Sequence, residues 1–167
     1  PVNQGVFFAN SSDHGGNGSD PAAAWTGLAG RLLQDPYSFD FFQAVRLLGL
    51  MHAEKRLIAR LEQPLDDIVR FHALLSMHFP PSPVQELARD ENEDKPLHMT
   101  VAFMGLTGPQ GVLPAHYTEY LIARRYEKDS SAAAFFDLFN HRLISLFYLA
   151  WEKHHFPIAE ERELRHQ

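Results

Sequence analysis

The stretch that most constrains this chain is Met99 to Tyr120, MTVAFMGLTGPQGVLPAHYTEY. Alternating apolar residues run into a loop holding Gly105, Gly108 and Gly111, and the loop runs into Pro114 and a helical pattern. That order predicts a strand, a rigid turn and a helix start. Phosphate sites are built at such junctions too, so the loop residues must decide between an anion site and a structural corner. A phosphate loop needs Gly-x-x-x-x-Gly-Lys followed by Ser or Thr, and no lysine follows these glycines. A dinucleotide fingerprint needs Gly-x-Gly-x-x-Gly, whereas the spacing here is Gly-x-x-Gly-x-x-Gly. Gly108-Pro109 and Gly111 suit a tight turn, because glycine admits positive φ and proline fixes φ negative. Gly105, Gly108, Pro109, Gly111 and Pro114 therefore read as a structural turn. The alternative is an anion- or nucleotide-binding module using the Gly105–Gly111 loop.

Upstream, Val69, Phe71, Ala73, Leu75, Met77 and Phe79 alternate with Arg70, His72, Leu74, Ser76 and His78. Period two over that length predicts a strand, which Pro80, Pro81 and Pro83 stop. Residues Pro80 to Leu97 then read as an acidic, solvated connection through Glu86, Asp90, Glu91, Glu93 and Asp94, with room for a turn of helix over Val84–Arg89. A second strand, Met99–Phe103, is expected to pair antiparallel with the first. The expected fold class is α+β, with helices packed around a small antiparallel sheet made from residues 69–79 and 99–104.

Four helices are expected. Asp20-Pro21 starts the first, with Trp25, Leu28 and Leu32 at helical spacing, Gly27 and Gly30 weakening it, and Asp35-Pro36 ending it. Ser38 is expected to cap the second, with Asp40 in its first turn. There Phe41, Phe42, Val45 and Leu48 form a stripe that reads as core, with a partner helix as the alternative. Pro114, taken as the first residue of the third helix, is followed by Tyr117, Tyr120, Leu121 and Arg124. Asp129-Ser130-Ser131 breaks that helix and caps a long fourth one, Ala132 to about Lys153. Its seam is Phe136, Phe139, Leu143, Phe147 and Ala150; Phe135, Leu138, Leu146 and Leu149 widen it, and Ile144, Tyr148 and Trp151 widen it again. A helix apolar on most sides is buried on most sides, so in a chain of 167 residues with 13 Phe, 5 Tyr and 2 Trp a partner is expected to cover part of it. Phe135, Phe147 and Trp151 are the expected protein contacts.

Several function classes are excluded or unsupported. The absence of cysteine removes disulfides, zinc–thiolate sites and cysteine nucleophiles. A formal net charge of -6 argues against nucleic acid, which needs a basic face. No apolar run approaches the roughly 20 residues of a membrane span. The ten histidines are scattered, without His-Glu-x-x-His. His154 and His155, being adjacent, point about 100° apart on a helix. His98, His116 and His141 converge only if the tertiary fold brings them together. Glu119 lies three residues after His116, but nothing supplies a nucleophile, and Gly-x-Ser-x-Gly does not occur. No catalytic, cofactor or metal residue is expected. Residues 1–20, polar and glycine-rich, are expected to be disordered, residues 21–160 to form the α+β domain with a strand over Phe156–Ile158, and residues 161–167 to be a charged tail.

The segment Phe103 to Glu119, FMGLTGPQGVLPAHYTE, resembles a signature of the TssG family of type VI secretion baseplate subunits, also called ImpH or VasB. Phe136 to Lys153, FDLFNHRLISLFYLAWEK, resembles its second signature, and Phe41 to Leu48 and Val69 to Phe71 resemble earlier blocks. The resemblance implies a structural, non-enzymatic protein on the cytoplasmic face of the bacterial inner membrane, without cofactor. It implies joining two copies of TssF in a phage-like wedge with TssE and TssK, with no nucleic-acid partner and no direct membrane insertion. It also implies that the chain is an N-terminal half. Leu149 departs from the basic residue more usual there and adds apolar surface.

Overall fold

The structure, a computed structural model, describes residues 21–52, 67–90 and 95–155. The polar tract 1–20, the expected strand at Phe156–Ile158 and the tail 161–167 lie outside the described residues. Helix α1 spans Pro21–Gln34, and a short 3-10 turn, Pro36–Ser38, leads to α2, Phe41–Met51. Strands β1 (Val69–Ala73), β2 (Val84–Ala88) and β3 (Leu97–Val101) follow, then α3 (Ala115–Tyr126) and α4 (Ser131–Lys153).

The α+β expectation holds, but the sheet is mixed, not antiparallel. Its order is β1-β3-β2, with β1 parallel to β3 and β2 antiparallel to β3. The connection read as a solvated loop supplies the middle strand in sequence. With β2 along one edge of β3, β1 takes the other edge and runs in the same direction as β3. The stretch with room for a helical turn, Val84–Arg89, is instead a strand over Val84–Ala88. Its inward residues, Val84 and Leu87, are three apart, because a bulge between Val84 and Glu86 adds one residue to the pairing. That bulge gave a strand the spacing of a helix.

The alternation of Val69 to Phe79 outlasts the strand. β1 ends at Ala73, opposite Val101, where β3 also ends and the glycine loop begins. Beyond that point no neighbouring strand is left to pair with, and Met77 and Phe79 are exposed. The second strand likewise sits two residues earlier than expected, at Leu97–Val101.

One face of the sheet, formed by Val69, Phe71, Val84, Leu87, Leu97, Met99 and Val101, is buried with Leu32 of α1 and Phe41, Ala44, Val45 and Leu48 of α2. The Phe41 ring lies 5.7 Å from Phe71, 4.8 Å from Phe103 and 6.4 Å from Tyr148, joining α2, the sheet and α4. Burying one such side chain stabilises by roughly 1.5–3 kcal/mol. The cap of α2 is Asp40, whose carboxylate accepts from Phe42 N and Gln43 N; Ser38 belongs to the preceding turn. The carboxylate thus does from outside the helix what the hydroxyl was expected to do. Pro114 stands as N-cap of α3, one residue before its expected place.

Between α3 and α4 the chain turns through Lys128, which has φ 61. Arg124 donates to Asp129 and Glu127, and Asp129 in turn accepts from Ser131 N at the start of α4. This elbow sets where α4 begins.

Candidate docking site

Helix α4 lies along β1 with its polarity inverted. Ile144 and Tyr148 are 0% and 1% exposed, and Asn140, Ser145 and Glu152 are buried beside them. On the opposite side, Phe135, Leu138 and Phe139 are 56%, 65% and 50% exposed, with Leu143, Leu146 and Phe147 partly exposed beside them. At about 3.6 residues per turn these two sets fall on opposite faces. The expected seam, Phe136, Phe139, Leu143, Phe147 and Ala150, is therefore not the core-facing stripe. The residues given the outermost place in that reading, Ile144 and Tyr148, are the core.

The reason is the edge of the sheet. β1 has β3 on one side only, so its amides on the other side need partners. Helix α4 supplies them. Phe71 N donates to His141 Nδ1 at 3.1 Å, and Ala73 N donates to Asp137 Oδ1 at 3.3 Å. Asn140 Nδ2 donates to the same Asp137 oxygen at 3.0 Å, while its Oδ1 accepts from Leu106 N at 2.9 Å. Asp137, Asn140 and His141 thus tie the helix to the strand edge and to the glycine loop, while Ser145 beside them donates to His141 O within the helix. Asp137, Asn140 and Ser145 were not singled out in the sequence. The signal was present as polar residues at steps of three, one and four inside an apolar helix.

On the sheet face away from α1 and α2, His72 Nδ1 donates to Asp137 Oδ2 at 2.8 Å, and His72 Nε2 meets His98 Nδ1 at 2.8 Å. Burial, then the neighbouring His72, hold His98 below the ordinary imidazole value. His116 and Glu119 are exposed on α3, and neither has a hydrogen bond to the His72–His98 pair. Among the described residues no three His, Asp or Glu side chains are arranged to hold a metal.

The glycine loop is closed on itself. Gly108 has φ +99, and a Cβ there would stand 2.2 Å from Leu74 O. A Cβ on Gly105 would meet Ala73 Cβ at 2.6 Å, and one on Gly111 would meet the Thr107 backbone at 2.6 Å. Leu106 N is bound to Asn140 and Gly108 N to Thr118 Oγ1. Gly111, Val112 and Leu113 N donate to Gly108, Gly105 and Leu106 carbonyls. Amides already committed to internal acceptors are not offered to an anion. The geometry favours the structural turn over the anion-binding alternative.

Of the three expected contact residues, Phe135 stands on the open face. Phe147 is at its border, its ring 5.4 Å from Phe42 and 5.8 Å from Phe103. Trp151 is partly buried and stacks on Phe42 at 4.5 Å.

Fold and site together define an α+β domain whose longest helix spends its polar side inward and leaves an aromatic and leucine face open. The family model described as "Type VI secretion, TssG" matches residues 35–167, and the chain belongs to that family. No curated protein and no solved structure matches it. Among the described residues no helix is long and apolar enough to cross a membrane.

Proposed function

We propose that this chain is a structural, non-enzymatic wedge component of the type VI secretion baseplate, working at the cytoplasmic face of the inner membrane. It assembles with two copies of TssF and with TssE and TssK, and supports growth of tube and sheath. Membership of the family supports the setting. The observation that carries the reading is the inverted burial of α4, which leaves Phe135, Leu138, Phe139 and Leu146 in water. A contiguous apolar face of this kind marks a protein contact. Phe135 and Phe147 are the contact residues on this reading, with the accessible part of Trp151 at the border. Covering each half-exposed ring or leucine would contribute about 1 kcal/mol.

The test is co-purification of the full chain with TssF, followed by a mass measurement of the complex. Phe135→Glu and Phe139→Glu are expected to abolish the complex while the thermal unfolding of the chain alone stays within a few degrees of the parent. A complex that survives both substitutions would overturn the role of α4.

A further inference from the structure

The core-facing residues of β1, Val69, Phe71 and Ala73, continue in the same rhythm as Leu75, Met77 and Phe79. Leu74 N still donates to Val101 O at 2.7 Å, which carries the ladder one residue past Ala73. There both supports stop. β3 ends at Val101. The row of α4 that seals the other edge is His141, Asp137 and, one turn earlier, Ala133, whose methyl accepts nothing. The chain then bends at Met77 and His78, with Met77 half exposed and Phe79 86% exposed. Among the described residues no backbone carbonyl accepts from Leu75, Met77 or Phe79 N, and His78 N is met locally by Ser76 Oγ. An apolar set that repeats every two residues is buried by a sheet, whereas helical burial selects residues three or four apart. Residues 75–79 contain no Asp, Glu, Lys or Arg, so pairing them strips no such charge of water. A second copy is a poor occupant: two such stretches make only a short two-stranded ribbon, marginal in water, which Pro80 and Pro81 end in each copy. A strand already held in another sheet brings its own neighbours.

We propose that residues 75–79 are a dormant extension of β1 that pairs with the edge strand of a β-sheet in a different protein; this rests on the chain being an assembly component. Main-chain hydrogen bonds hold the pair, and apolar side chains of the partner cover Met77 and Phe79. The prolines after Phe79 end the pairing on one side, and Asp137, bound to Ala73 N, ends it on the other.

The test is hydrogen–deuterium exchange on the full chain, alone and in its co-purified complex with TssF, TssE and TssK. Peptides covering residues 74–79 are expected to exchange at least about tenfold more slowly in the complex. Met77→Pro removes an amide at an exposed place outside every strand, so it should abolish that protection. Met77→Val, which suits a strand, should keep it. In both variants the melting temperature of the chain alone should stay within a few degrees of the parent. Protection that survives Met77→Pro would mean covering without pairing and would overturn the proposal. Protection already present in the free chain, together with a mass of two copies, would give the segment to a dimer and overturn it too. If the complex forms and residues 74–79 exchange as fast as in the free chain, the dormant strand is wrong and the assembly role stands. If no complex forms, both fall.

Discussion

The amide of Phe71 donates to Nδ1 of His141, 70 residues further along the chain. The bond fixes the tautomer: Nδ1 must accept, so Nε2 carries the hydrogen and donates to Asp67 Oδ2 at 2.9 Å. One imidazole therefore joins a buried strand amide to a buried carboxylate. His141→Ala leaves the Phe71 amide unmet and takes one hydrogen bond from Asp67, at a cost of roughly 1–3 kcal/mol. Urea unfolding should show it as a lower midpoint with an unchanged slope. An unchanged midpoint would mean that water replaces the ring.

Gly108 and the glycines of α1 should respond in opposite directions to alanine. Gly108→Ala combines positive φ with a Cβ 2.2 Å from Leu74 O, so the loop must shift; a loss of at least about 2–3 kcal/mol is expected. Gly27 and Gly30 have nothing within 4 Å of a built Cβ, and alanine there should stabilise by roughly 0.5–1 kcal/mol each. Melting temperatures of the three variants check the contrast. Gly108→Ala folding as well as the parent would remove the rigid-corner account.

Acid should weaken the sheet through His98. Burial first, and His72 second, lower its pKa in the folded chain, so the folded state binds its proton less readily than the unfolded state does. Stability from this group is complete above about pH 6.5 and declines as pH falls below it. Asp90, Asp137, Arg70 and Lys95 are the other charged groups around the pair. His98→Gln should flatten the pH profile of the melting temperature between about pH 5 and 7. A profile unchanged by the substitution would exclude His98 as its source.

The elbow before α4 responds to stronger acid. Asp129 is held at a pKa of about 2, first by the Ser131 amide and then by Arg124. Its contribution is present above the ordinary aspartate value near 3.8 and is lost as pH falls toward 2. Asp129→Asn should leave neutral-pH secondary structure intact and remove part of the acid-induced loss, read by circular dichroism between those limits.

Much of the helical frame was legible. Pro21, Asp35-Pro36 and the Asp129–Ser131 break stand where local backbone chemistry put them, because capping and proline geometry act over a few residues. The sheet was half legible. Val69 and Phe71 announced β1 by alternation, but where that strand ends depends on Val101 and the glycine loop, which no window around Phe79 contains. β2 was hidden by its bulge. The inward face of α4 was misjudged because hydrophobicity alone ranks Phe139 above Asn140. In the folded chain the strand edge needs donors and acceptors more than it needs another ring.

The edge-sealing by α4 has a consequence for how the chain is made. β2 and β3 are neighbours in sequence and can zip together early, while β1 must wait for β3 and then for a helix synthesised some 60 residues after it. Until Asp137 and His141 leave the ribosome, the nascent polypeptide carries a raw strand margin able to recruit another copy of itself. Nascent chains whose emerged part stops short of Asp137 should be more readily captured by chaperones than those whose emerged part reaches Lys153; equal capture would show that the margin is protected some other way.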